Sequence, residues 1–339
     1  MKLALSPMAT LTHEALRILI HRYGDPDEYF SEMIHAPSFV NNGPLEKWYV
    51  RTAPEPDKMV WQLTGSTVPS MARAAELLAP YGGIGLDLNM GCSAPDIAKT
   101  GAGIAWMSKP SAEVASLVRA VRPSVPGRLS VKLRLGEDEN YARLLDFCRI
   151  LEGEGVEMVT LHPRIRKDKY SRAARRAHVA RLASDLSIPV YGNGDVSSAA
   201  DAVAYRSAYP CAGLMIGRAA VQKPWIFRDI REAWSIPAAG NKAGETVQPD
   251  PAPEPAVPHS SVDHLEVSRF FLETLAESQP PEFQISRAHR FFFYYCDNFT
   301  FAHHIKMRIQ NAKTPGEIEG LLEEYFVQVP EDRHTAGRA

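Results

Sequence analysis

The sequence predicts an α/β chain in which a (β/α)8 TIM barrel is followed by a smaller C-terminal helical bundle. Three observations predict it. Eight short aliphatic or β-branched runs alternate with helix-forming stretches before residue 236, and a count of eight parallel βα units favours a closed barrel over a doubly wound open sheet. Composition then changes abruptly at Pro237, and a helical pattern resumes at Val262. Finally, polar side chains gather at the C-terminal ends of the predicted strands, where a barrel carries its reactive face.

The strand runs fall at 3–5, 29–34, 58–63, 84–89, 129–134, 156–162, 188–192 and 212–217. Helical stretches are expected at 12–23, 69–81, 112–121, 141–153, 178–186 and 197–205, from composition and start signals. Residues 1–236 are thus expected to form the barrel. Residues 237–261, rich in Pro, Ala, Gly and acidic residues, are expected to be a flexible linker. Segments at 265–275, 285–298, 301–312 and 315–326 predict a bundle within 262–329, and 330–339 is expected to be a frayed tail.

Composition bounds the class. With 339 residues, 45% of them hydrophobic and 23% charged, the chain can bury a full core. The apolar start is broken by Ser6-Pro7 and followed by His13, Glu14 and Arg17, which fits neither a signal peptide nor a membrane span. A cytoplasmic protein is expected. The four cysteines, Cys92, Cys148, Cys211 and Cys296, form no Cys-x-x-Cys pair, so neither a disulfide framework nor a cysteine-rich metal site is expected. A net charge of −2 supplies no global attraction for nucleic acid, which must therefore use a local patch.

The strand ends carry the chemistry. The third ends in Trp61-Gln62, the fourth in Leu88-Asn89, and the fifth holds Val131-Lys132-Leu133-Arg134. Alternation puts Ser130, Lys132 and Arg134 on one side, so Lys132 should enter the barrel mouth, where an ammonium needs an acceptor or anion. A structural pair with Asp87 is the plainer alternative. The sixth strand ends in His162, which alone would more often be a satisfied core or loop histidine. Gly192-Asn193-Gly194-Asp195 follows the seventh strand and Gly217-Arg218 the eighth, at the two loops where barrels hold phosphate through backbone N–H groups. Arg218 adds a forked charge. Phosphate at one edge, with Gln62, Asn89, Lys132 and His162 in the centre, suits a flat, phosphorylated, polar cofactor, and FMN is the natural candidate.

These motifs resemble the tRNA-dihydrouridine synthases, a family of FMN-dependent barrels with a helical domain. Ser6-Pro7-Met8-Ala9, Leu86-Asp87-Leu88-Asn89-Met90-Gly91-Cys92, Val131-Lys132-Leu133-Arg134, His162, Gly192-Asn193-Gly194-Asp195 and Met215-Ile216-Gly217-Arg218 with Pro224-Trp225 match in order. The resemblance implies that Gln62, Lys132, His162, Asn193, Gly194, Asp195, Gly217 and Arg218 hold FMN, with Pro7 and Met8 against its ring. It further implies that Asn89 contacts uracil and that Cys92 is the catalytic acid. NADPH or NADH as reductant follows from the resemblance alone. Ser93 stands where the family commonly has proline, and Ser6 where it has alanine.

The chemistry suits the residues. Reducing the C5–C6 bond of uracil needs hydride at C6 and a proton at C5, and a thiol with a reference pKa of about 8.5 carries that proton at neutral pH. The basic segment Arg164, Arg166, Lys167, Lys169, Arg172, Arg175 and Arg176, opposed in sequence only by Asp168, is expected to meet tRNA with Arg134. The resemblance implies that Arg287, Arg290, Lys306 and Arg308 do so from the helical domain, whose aromatics from Phe291 to Tyr295 are mostly assigned to core. A monomer is expected. The alternatives are a dihydroorotate dehydrogenase-like flavin barrel acting on a small pyrimidine, and a non-catalytic tRNA-binding module.

Overall fold

A computed structural model describes residues 1–235 and 262–334. Eight parallel strands close into a barrel in sequence order: β1 (Lys2–Leu5), β2 (Glu28–His35), β3 (Met59–Thr64), β4 (Gly85–Met90), β5 (Arg128–Gly136), β6 (Met158–Ile165), β7 (Val190–Asn193) and β8 (Gly213–Ile216), with β8 pairing back onto β1. Each predicted run is a strand. Their continuous aliphatic character reflects burial on both faces, inside the barrel and beneath the outer helices. The predicted linker, 237–261, lies outside the described residues.

The barrel interior is layered. Ala4, Phe30, Val60, Met158, Tyr191 and Met215 form a compact apolar plug. Below it, at the N-terminal end, Glu28 accepts two hydrogen bonds from Arg128, at 2.9 and 2.6 Å, and one from Tyr191 Oη at 2.9 Å. Above it the interior turns polar. Register places Gln62 beside Asp87, Asp87 beside Ser130, Asn89 beside Lys132, and Arg134 beside His162. Beyond His162 the β5–β6 register shifts, with Gly136 opposite Ile165. Such an irregularity bends the strand end and re-aims its side chains.

The C-terminal helices run over His264–Ser278, Pro281–Tyr295, Ala302–Asn311 and Pro315–Gln328. Asp263 caps the first by accepting from Leu265 N and Glu266 N, and Thr314 caps the last through Glu317 N. Their shared core is aromatic: Phe271 stacks on Phe291 at 3.8 Å, and Phe291 on Tyr295 at 5.0 Å. The bundle docks on the barrel through a buried Arg287–Glu32 ion pair at 3.0 Å, an Arg22–Glu266 pair at 2.8 Å, and Asn298 Nδ2 donating to Gln222 O at 2.7 Å. Residues 330–334, expected to fray, are instead held. Asp332 is buried and accepts from Thr300 Oγ1 at 2.7 Å and from Tyr325 Oη. No described helix is long and apolar enough to cross a membrane.

Candidate active site at the barrel mouth

The cysteine loop grows out of β4 on a relay of side chains. Ser130 Oγ and Gln62 Nε2 donate to the two Asp87 oxygens at 2.6 and 2.7 Å, and Asn89 Nδ2 donates to Gln62 Oε1 at 2.9 Å. Asn89 Oδ1 then accepts from Cys92 N at 2.9 Å and Gly91 N at 3.3 Å. Burial pushes the Asp87 carboxyl up to about 6, against the pull of the Ser130 and Gln62 hydrogen bonds. From the other side, Ile104 N donates to Cys92 O at 3.0 Å. Gly103, at φ +60°, fits because a Cβ there would sit 2.5 Å from that same oxygen.

This relay gives Asn89 a task beside the uracil contact expected of it, and it decides against the plainer alternative of an Asp87–Lys132 pair. Asn89 donates one Nδ2 hydrogen to Gln62 and accepts from the Cys92 backbone, so it positions the loop. Asp87 does not pair with Lys132; its oxygens are taken by Ser130 and Gln62. Cys92 is half-buried, whereas Cys148 and Cys296 are fully buried with thiols pushed up by burial.

Beside the cysteine loop, from the ends of β5 and β6, stands a cationic wall. Arg164 is 1% exposed and donates to His162 Nε2 at 3.0 Å, to the Tyr170 and Arg172 carbonyls at 3.1 and 2.7 Å, and to both Asp195 oxygens at 2.8 Å. A guanidinium offers no acceptor, so His162 Nε2 is unprotonated and the ring is neutral with its hydrogen on Nδ1. Burial first, and then Lys132, Arg134, Arg164 and Arg218, hold the imidazole far below its ordinary range. Lys132 is pushed down to about 8, by burial first and then by Arg134. Among the described residues, Lys132, Arg134 and Arg218 have no carboxylate partner; Arg134 donates only weakly to Ile165 O, at 3.4 Å.

The phosphate-side loops adjoin this wall. Asn193 Nδ2 donates to Met215 O at 2.7 Å, tying β7 to β8. Gly194, at φ +123°, passes so close to the site that a Cβ would lie 3.1 Å from His162 Cδ2. The carboxylate of Asp195, a residue expected to hold the cofactor, accepts from Arg164 and from Ala174 N. Gly217 lies against Met8, whose Sδ would be 3.3 Å from a Cβ there, so Pro7-Met8 and Gly217-Arg218 share one rim. The Tyr170 ring lies nearly parallel to His162, centroids 6.4 Å apart, and 4.2 Å from the Arg218 guanidinium.

Several expected RNA contacts are placed differently. Arg164 is buried in the site, and Arg287 is buried against Glu32, so neither faces RNA. Arg166 and Lys167 are exposed, Arg166 pairing with Glu137 at 2.7 Å. Arg290 is exposed, Lys306 pairs with Asp297, and Arg308 pairs with Glu324 at 2.5 Å. The role of Ser130 was missed, although alternation along β5 puts it on the same face as Lys132.

A family model described as dihydrouridine synthase matches residues 4–248. A protein named "tRNA-dihydrouridine synthase B" from Pseudomonas syringae pv. tomato is 32% identical over 228 residues, 67% of each chain. Its namesake from Xanthomonas axonopodis pv. citri is 28% identical over 96% of this chain and 92% of that one. A "tRNA-dihydrouridine(16) synthase" from Neisseria meningitidis serogroup B is 26% identical over 96% of this chain and 94% of its own. Among solved structures, a 2-naphthoyl-CoA reductase complex superposes with a TM-score of 0.51 at 8% identity, over 68% of this chain and half of that one, which is a likeness of fold.

Proposed function

This chain belongs to the dihydrouridine synthase family, and on that premise we infer that it is a tRNA-dihydrouridine synthase, an oxidoreductase that saturates the C5–C6 bond of uridine in tRNA. FMN is the cofactor proposed, with NADPH or NADH as reductant. The residues fit it on one observation, which also carries the reading: Lys132, Arg134 and Arg218 crowd one wall of the mouth without a carboxylate partner among the described residues. Uncompensated cations in a buried site call for an anion.

Lys132 and the His162 Nδ1–H would hold the polar edge of the flavin ring, and Arg218 with the Gly194 and Gly217 backbone would hold its phosphate. When bound, FMN supplies hydride from its reduced ring. The remaining work falls to this chain. Asn89 fixes the Cys92 backbone, and the Cys92 thiol delivers the proton that uracil C5 requires. The unpaired ammonium of Lys132 steadies negative charge that develops on the pyrimidine or the ring beside it. Arg166 and Lys167 approach the RNA phosphates from the rim. The protein is proposed to act as a monomer in the cytoplasm.

The test compares purified flavin-loaded protein with unmodified tRNA, free uridine and orotate as oxidants. Flavin reoxidation should be fastest with tRNA. Cys92→Ala should keep the flavin spectrum and tRNA binding while turnover falls by about 10²- to 10⁴-fold, the usual weight of a positioned acid. Equal rates with orotate, or full turnover in Cys92→Ala, would overturn the assignment.

A further inference from the structure

The aromatic run of the helical domain is not all core. Phe291, Phe292 and Tyr295 are buried, but Phe293 is 46% exposed. A lone exposed phenylalanine is ordinary; this one has specific neighbours. The Lys306 ammonium lies 5.1 Å from its ring centre and the Arg290 guanidinium 6.0 Å from it, with Arg290 also 5.1 Å from the Tyr294 ring. Tyr294 meets Phe293 edge to face at 5.1 Å, which fixes the plane of the exposed ring. Arg290 has no ion-pair partner among the described residues.

The patch is joined to the barrel mouth by a short chain of contacts. Lys306 pairs with Asp297, whose carboxylate also accepts from Gln222 Nε2 at 3.1 Å. Gln222 ends the short helix Arg218–Gln222, whose first residue is the mouth cation. Met307, 53% exposed, is a second exposed apolar side chain, on the helix that carries Lys306.

We propose that Phe293 is a stacking platform for one unpaired base of the tRNA, with Arg290, exposed and without a carboxylate partner among the described residues, holding the neighbouring phosphate. The argument is one of complementarity. An apolar protein partner covering the ring would strip water from the Arg290 guanidinium and offer it nothing, which costs free energy. A nucleotide satisfies both groups together, its base covering the ring and its phosphate meeting the guanidinium. The inference rests on tRNA being the substrate and adds where, outside the catalytic mouth, the RNA is gripped.

The experiment measures affinity of the full-length protein for an unmodified tRNA transcript by fluorescence anisotropy, with thermal melting as a check on folding. Phe293→Ala should weaken binding about five- to tenfold, the lower part of the range for loss of one base stack, and raise KM with kcat unchanged. Phe293→Trp should bind at least as tightly as wild type. Arg290→Ala should weaken binding and lower the salt slope by about one. Wild-type affinity in Phe293→Ala would overturn the platform, as would a wild-type self-association that this variant abolishes. Failure of the wild-type protein to bind tRNA would instead sink the functional reading beneath it.

Discussion

The neutral state of His162 can be tested through folding stability. Its Nε2 accepts from Arg164 and cannot take a proton without losing that bond. Burial and four neighbouring cations oppose protonation further. The unfolded chain takes up a proton on this ring near pH 6.5 and the folded chain does not, so stability declines as pH drops below that value. Each pH unit well below it costs about 1.4 kcal/mol. Integrated from pH 7 to pH 5, one such histidine removes about 2 kcal/mol.

The assay is urea unfolding of flavin-free protein at pH 7, 6 and 5, for wild type and His162→Asn. Other titrating groups move in both directions: buried His13 adds an acid loss, whereas Asp87 and Glu32, with raised carboxyl values, are favoured in the fold as pH falls. Comparison with the variant cancels them. Between pH 7 and pH 5, wild type should lose about 2 kcal/mol more than His162→Asn. Parallel pH profiles would show that the ring takes a proton in the folded state, and the tautomer assigned from Arg164 would fall with it.

Lys132→Met should stabilise the flavin-free protein by about 1–3 kcal/mol, since it removes a half-buried ammonium held at about 8, while flavin retention on gel filtration is lost. Arg287→Met should cost about 3–5 kcal/mol in urea unfolding because Glu32 is left buried without its ion-pair partner, holding only the hydrogen bond from Thr10 N, and the salt slope of tRNA binding should not change. Replacing Arg166 and Lys167 together by alanine should leave melting within a degree or two, given that the Arg166–Glu137 pair is exposed. That double variant should reduce the salt slope of tRNA binding by about one to two.

The barrel was legible because its signals are local. Aliphatic runs and strand alternation suffice to put Lys132, Gln62 and Asn89 on the inner face. What escaped depends on partners remote in the chain. Arg164 reads as one cation in a basic block, and nothing in that block shows that Asp195, 31 residues on, draws it into the interior. Arg287 likewise reads as a surface cation until Glu32 of β2 is brought against it. Phe293 was within reach: the buried positions of its helix include 288, 291, 292 and 295, so 290 and 293 lie on the opposite stripe.

The two ends of the barrel treat charge in opposite ways, and the contrast separates structure from function. At the lower end, Glu28 is matched by Arg128 and Tyr191, and every oxygen has a donor. That arrangement serves the fold alone. At the mouth, Arg164 is matched by Asp195, but Lys132, Arg134 and Arg218 are left without carboxylates among the described residues, and Lys132 is strained toward neutrality. The same chain evidently can match buried charges, so stability alone does not explain the mismatch at the mouth. The mismatch destabilises the empty protein and is relieved only when an anion arrives. Ligand binding therefore acts as folding energy here, about 2.7 kcal/mol at a hundredfold excess over Kd. Phosphate-bearing flavin should raise the melting temperature of wild type by several degrees while barely moving that of Lys132→Met, and riboflavin, which lacks the phosphate, should give wild type only part of that gain.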